Sequence, residues 1–215
     1  QSKTIINFPL KDLLFGVKDI INVDGYPTRC GSLLPSELFN GSQASCVSTL
    51  LNAGAIFAGK TVTAEFAVSD PGETRNPRNL FHTPGGSSSG SGASVAAGFC
   101  DIAIGTQTSG SVIRPAGYCG VVGYKPSFGR ISRDGVLLFS NSMDHVGLCT
   151  SDLDVLEKVL PLIVDGWRFQ KPKVIKNVSI GIPEGSYINL SKPNVLKQFR
   201  DTIQLLKEKF YIKNL

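Results

Sequence analysis

The stretch Thr83-Pro-Gly-Gly-Ser-Ser-Ser-Gly-Ser-Gly-Ala-Ser-Val-Ala-Ala-Gly98, followed by Ile102-Ala-Ile-Gly-Thr-Gln-Thr-Ser-Gly-Ser111, decides how this chain is read. Two loops of glycine and hydroxyl residues flank a run of small residues, Ala93 to Gly98, and an apolar run, Ile102 to Ile104. The first run reads as a small-residue helix and the second as a strand. A flexible Gly/Ser linker is the plain alternative. A linker does not normally run straight into a compact helix, nor is it matched by a second such loop after the next strand. Two pieces of backbone converging on one site is the better account.

Two glycine motifs nearby invite other readings. Gly54-Ala-Ile-Phe-Ala-Gly59-Lys60-Thr61 fits the phosphate-loop pattern letter for letter. A phosphate loop needs a strand before it and a helix after it, so that N–H groups face the phosphates. Here a helix precedes, and Ile56 and Phe57 belong in a core. Gly86-Ser87-Ser88-Ser89-Gly90 fits the nucleophile elbow with Ser88 as nucleophile, but an elbow needs a hydrophobic strand before it. Asn79-Leu-Phe-His-Thr-Pro84 is not one, and only His145 lies downstream to act as the base.

Working outward, Phe15 to Asp19 reads as the end of a strand. Gln43 to Asn52 reads as a helix, with Val47, Leu50 and Leu51 at helical spacing and Gly54 past its end. Ala55 to Ala58 is expected to be a short buried strand and Asp70 to Gly92 irregular. Leu153 to Val164 and Pro193 to Phe210 carry helical periodicity, and Val178 to Ile182 and Tyr211-Ile212 read as strands. This alternation predicts an α/β fold: a mixed, twisted central β-sheet flanked by helices.

The 215 residues suit one domain or two small ones, and the apolar share of 41% can bury a core. A net charge of +5 on scattered basic residues argues against a nucleic-acid partner. The one dense basic stretch, Arg168 to Lys176, alternates with Pro and Val and reads as a linker. Five dispersed cysteines and two histidines argue against a metal cluster or a disulfide scaffold and for free thiols in a reducing, cytoplasmic setting. Asn-x-Ser sequons at Asn40, Asn177 and Asn189 are short enough to recur by chance. No apolar run is long enough for a membrane span, and the N-terminus lacks a signal-peptide pattern.

Together these segments resemble the amidase signature family. Thr83 to Gly98 is similar to its GGSSGGSA-type segment and Gly105 to Ala116 to its nucleophile segment. Gly16-Val-Lys-Asp19, with Gly25 and Thr28, is similar to its lysine motif. Gly59-Lys-Thr, Glu65-Phe-Ala, Thr74-Arg-Asn-Pro77, Gly123-Tyr-Lys-Pro126, Gly129-Arg130 and Ser142-Met-Asp144 continue the match, which accounts for the false phosphate loop. The resemblance runs from Leu14 to Val164 and weakly on to Phe210. It implies one amidase signature-like domain over 1–215, incomplete at both ends, since family members extend beyond this chain.

By that resemblance Ser111 is the nucleophile, Ser87 the bridging serine and Lys18 the base. Backbone N–H groups of Thr108, Ser109, Gly110 and Ser111 form the oxyanion hole, and Ser88, Arg114 and Asp144 support the loops. The chemistry is coherent without the family name. A serine hydroxyl must lose its proton to a base, and where histidine is scarce a desolvated lysine can serve. The resemblance also leads us to expect a cis Gly86–Ser87 peptide bond and a Lys18 amine buried within reach of Ser87, nearer to it than to any carboxylate. No metal or organic cofactor is called for. The partner is a small-molecule amide, and a homo-oligomer is left open. Ser109 stands where glycine is usual, and a positive φ there would cost roughly 1 kcal/mol. The alternatives are the amidase subunit of a glutamine-dependent tRNA amidotransferase and a non-catalytic amidase-like binding protein.

Overall fold

The computed structural model describes residues 8–70, 72–169 and 178–214. The chain divides into two compact units, Gln1–Phe169 and Gln170–Leu215. The linker reading of 168–176 and the sequon at Asn177 fall mostly outside the described residues.

The first unit is built on a five-stranded sheet. In chain order its elements are β1 (Leu14–Lys18), α1 (Ser45–Asn52), β2 (Ile56–Thr61), α2 (Ser89–Ala96), β3 (Ile102–Gln107), α3 (Ile113–Cys119), β4 (Val122–Tyr124), β5 (His145–Thr150) and α4 (Leu153–Ile163). The strand order is β2-β1-β3-β5-β4. β1 runs parallel to both β2 and β3, whereas β5 runs antiparallel to β3 and β4. The mixed sheet flanked by helices is the fold expected from the sequence.

Strand alternation splits the core into two layers. Ile102, Ile104, Val146 and Leu148 join Phe15 and Val17 on the face that α1 and α4 cover through Val47, Leu50, Val155, Leu156, Val159 and Ile163. Ala103 and Cys149 point the other way, where Val95 of α2 and Ala116 of α3 pack on them. β3 is buried at every position. A strand covered on both faces reads as a continuous apolar run, which is why Ile102 to Ile104 is conspicuous in the sequence. Asp152 caps α4, its Oδ1 accepting from the Val155 N–H at 2.8 Å.

Boundaries differ from the sequence reading in two places. The strand expected at Ala55 to Ala58 is β2, shifted to Ile56–Thr61, and it is an edge strand with Ile56 half exposed rather than a buried one. The irregular stretch ends at Ser88, because α2 begins at Ser89 and includes Gly90 and Gly92. That helix tolerates two glycines because it lies too close to its neighbours for side chains. A methyl on Gly90 would sit 2.3 Å from the Val62 nitrogen, and one on Gly92 would sit 3.0 Å from Pro115. α3, β4 and β5 have no counterpart in the sequence reading.

The second unit holds β6 (Ser179–Ile182), α5 (Ser186–Asn189), α6 (Pro193–Lys207) and β7 (Tyr211–Asn214), with β6 and β7 parallel. Among the described residues, no helix is long and apolar enough to cross a membrane.

Candidate active site

β1 and β3 are parallel neighbours, so their C-terminal ends lie at the same edge of the sheet. In α/β sheets that edge is where loops gather ligands. Lys18 is the last residue of β1, and Thr106 and Gln107 close β3. The Gly/Ser loop before α2 is fastened to this edge by Ser88. Its hydroxyl donates to the Thr106 carbonyl at 3.1 Å and accepts from the Thr106 N–H at 3.3 Å, taking up backbone groups beyond the last β1 pairing. Gly105 makes room for it, since a methyl there would lie 2.8 Å from the Ser88 hydroxyl.

With Ser88 sealed at zero exposure, the elbow reading fails: no strand leads into it, and its hydroxyl is spent on β3. The phosphate-loop reading fails too, because Ile56–Thr61 is itself strand β2. The linker reading fails with the burial of Ser87, Ser88, Ser89 and Ser91.

Ser87 is turned the other way. The Gly86–Ser87 peptide bond is cis. The Lys18 amine, fully buried, donates to the Ser87 hydroxyl at 2.8 Å and to the Thr106 hydroxyl at 2.8 Å. Burial pushes this amine from its ordinary 10.5 down to about 7, against the opposing pull of Asp144 and Cys149. Asp19, the carboxylate next in sequence, pairs with Lys60 at 2.8 Å.

Ser111 lies at the head of α3, 9% exposed, and its carbonyl accepts the Ser88 N–H at 3.2 Å. This backbone bond ties the two serine loops together. No direct bond joins the Ser87 and Ser111 hydroxyls among the described residues. The loop between β3 and α3 is held from both ends. Gln107 Oε1 accepts the N–H groups of Val112 and Ile113, both at 2.9 Å, and its Nε2 donates to the Ser109 carbonyl at 3.1 Å. The Thr108 hydroxyl donates to Asp144, whose other oxygen accepts from the N–H groups of Phe139 at 2.6 Å and Ser140 at 2.9 Å. Among the described residues, the N–H groups of Thr108, Ser109, Gly110 and Ser111 donate to no protein acceptor, so they are free to face an oxyanion. Ser109 has an ordinary negative φ and carries none of the strain a positive one would impose. Arg114 is exposed, its guanidinium against Gly110, and it forms no ion pair among the described residues.

The structure thus gathers Lys18, Ser87, Ser88, Ser111, Arg114 and Asp144 around one edge of the sheet. Sequence reasoning missed Thr106 and Gln107. Both lie inside the quoted nucleophile segment, and carrying the strand three residues past Ile104 would have put them at its end.

This arrangement defines a class. The chain belongs to the Amidase family, whose model matches residues 3–210. Among curated relatives, a glutamyl-tRNA(Gln) amidotransferase subunit of Salinibacter ruber is 44% identical over 72% of this chain and 31% of its own length. Its counterpart in Syntrophobacter fumaroxidans is 34% identical over 92% of this chain and 45% of its own. Among solved structures, the peptide amidase of Stenotrophomonas maltophilia superposes with a TM-score of 0.79 at 28% identity, covering 97% of this chain and 48% of that one. The glutamyl-tRNA(Gln) amidotransferase subunit of Thermotoga maritima gives 0.81 at 31%, over 94% and 49%. The chain spans at most about half the length of these relatives.

Proposed function

We propose that this chain hydrolyses a carboxylic amide through an acyl-enzyme on Ser111. The observation that carries the reading is the Lys18 amine: wholly buried, held near pKa 7, and hydrogen-bonded to the Ser87 hydroxyl. Neutral Lys18 accepts the Ser87 proton while Ser87 takes the proton of Ser111. The Ser111 oxygen then bonds to the amide carbon, and the carbonyl electrons move onto its oxygen. The N–H groups from Thr108 to Ser111 hold that oxyanion. Lys18 returns its proton to Ser87, which passes one to the departing nitrogen, so the C–N bond breaks to release ammonia or an amine rather than an amide anion. Water adds to the acyl ester by the same relay and frees the carboxylate and Ser111.

A fluorophosphonate should label Ser111, because only a serine that can be deprotonated beside free N–H donors attacks the phosphorus well. Peptide mass mapping reads the site, and a hydrolysis screen over small amides with Ser111→Ala as control reads the reaction. An adduct on Ser88, or none on the folded protein, overturns the assignment. A second reading is favoured by relatives that are subunits of a glutamyl-tRNA(Gln) amidotransferase: the amide is glutamine, and the ammonia passes to a partner protein. Glutamine hydrolysis in the same screen tests it.

A further inference from the structure

We infer that Asp144 is a positioning residue for the reaction: across the end of β3 from Lys18, its carboxylate fixes the oxyanion loop through Thr108 and balances the ammonium that forms on Lys18. The inference rests on the reading of Lys18 as base and Ser111 as nucleophile, and it adds the group that holds both the loop and the charge.

The sheet order places the two groups. β3 lies between β1 and β5. Lys18 ends β1, and because β5 runs antiparallel to β3, its first residue, His145, sits opposite Gln107, the last of β3. Asp144, one step before His145, therefore meets Thr108, one step past Gln107. Each charge clasps this end of β3 through a threonine hydroxyl. The Lys18 amine donates to Thr106 at 2.8 Å, and Thr108 donates to Asp144. Among the described residues, Lys18 is the only buried Lys or Arg and Asp144 the only buried Asp or Glu.

A buried carboxylate is costly unless donors or a cation satisfy it. Asp144 is satisfied by neutral donors: the Thr108 hydroxyl on one oxygen, and the N–H groups of Phe139 and Ser140 on the other. Among the described residues it forms no ion pair. The Arg133 guanidinium donates instead to the carbonyls of Asn141, at 2.8 Å, and of Asp144 itself, at 3.4 Å. An asparagine could make the same three side-chain bonds, accepting both N–H groups and donating to the Thr108 hydroxyl. The hydrogen bonds alone therefore do not call for a charge. Lys18 does. Burial lowers its amine, and Asp144 is the stronger of the two groups that oppose this, Cys149 being the other. Asp19, next to Lys18 in sequence, is taken up by Lys60. When Lys18 accepts the relayed proton, an ammonium forms among buried groups, where the field of Asp144 is little screened. The carboxylate takes none of the N–H groups from Thr108 to Ser111, so they stay open to the oxyanion.

Two conservative variants separate the charge from the bond. Asp144→Asn keeps the bonds and removes the charge, whereas Thr108→Val keeps the charge and removes its tie to the loop. NMR titration of the lysine amines, with Lys18→Met identifying the Lys18 signal, should place the midpoint lower in Asp144→Asn than in wild type and leave it in place in Thr108→Val. Fluorophosphonate labelling of Ser111 above about pH 9, where Lys18 is neutral in all three chains, should be slowed on the order of tenfold in Thr108→Val, with reagent binding unchanged. An unmoved midpoint in Asp144→Asn, or equal labelling rates in Thr108→Val and wild type, overturns the proposal. A wild type whose Ser111 takes no label instead sinks the hydrolytic reading, and the titration, which needs no turnover, still decides for or against Asp144.

Discussion

At the scale of single residues, the base role proposed for Lys18 predicts the pH behaviour. In the proposed relay the amine works only when neutral, so kcat should rise as pH climbs through about 7 and level off above it. Lys18→Met should lower kcat by roughly 10²- to 10⁴-fold. The same shift has a sign in stability. Between about 7 and 10.5 the unfolded chain holds a proton on this amine that the folded chain does not, so wild-type stability rises with pH across that window. Below it, the native state keeps a desolvated charge. Urea unfolding should accordingly find Lys18→Met gaining most over wild type below pH 7, by an amount on the order of a few kcal/mol, with the gain shrinking towards pH 10. Thr106 addresses orientation rather than protonation. Its hydroxyl accepts from the Lys18 amine at 2.8 Å and so helps hold that amine against Ser87. Thr106→Val keeps the shape and removes that acceptor. It should lower kcat on the order of tenfold with KM unchanged, read from steady-state kinetics on the best amide of the screen.

At the scale of elements, the loop between β3 and α3 is fastened to α3 by one neutral side chain. Gln107 serves as the N-terminal cap of α3 and as a clamp on Ser109, combining two acceptor bonds and one donor bond in a buried position. Gln107→Leu leaves the Val112 and Ile113 N–H groups without their partner and should cost about 1–3 kcal/mol in thermal or urea unfolding. Gln107→Glu keeps the acceptors and turns the donor into a repulsion with the Ser109 carbonyl, so it should harm kcat more than stability. Elements whose apolar period is complete within their own residues were legible in the sequence: α4, α6, β1 and the first half of β3. α3 was not, because Pro115 and Gly117 read as breakers, yet Pro115 sits in the first turn, where its missing N–H costs little. β5 was hidden because His145, Gly147 and Thr150 interrupt its apolar residues, and its burial comes from neighbours on both faces. At the site, Lys18, Ser87 and Ser111 could be named from ordered motifs. The holding roles of Thr106 and Gln107 depend on which strand ends share an edge, which no local pattern encodes.

At the scale of the whole molecule, burial is uneven. Every member of the main core lies between Leu10 and Val164. In the second unit, α6 keeps Val195, Phe199 and Leu205 substantially exposed and buries none of its residues. An amphipathic helix with little to cover its apolar stripe draws little stability from packing. Limited proteolysis under native conditions should therefore cut within 193–207 first and leave a resistant fragment spanning the five-stranded sheet, identified by intact mass.

The five cysteines, all buried and unpaired, give this chain an internal clock. Burial raises each thiol above its ordinary range, to about 12 for Cys46 and Cys149 and to about 11 for Cys30. A thiol that is both shielded and protonated does not alkylate. Each addition of iodoacetamide then records one opening of the segment that carries it, and counting adducts by mass over time times those openings residue by residue. Cys149, in the interior strand β5, should be among the last to react, and Cys30, in a loop at a φ of 56°, among the first. Reagents for serine and for sulfur would thus report on different things in the same tube: one on the competence of the closed fold, the other on how often it opens.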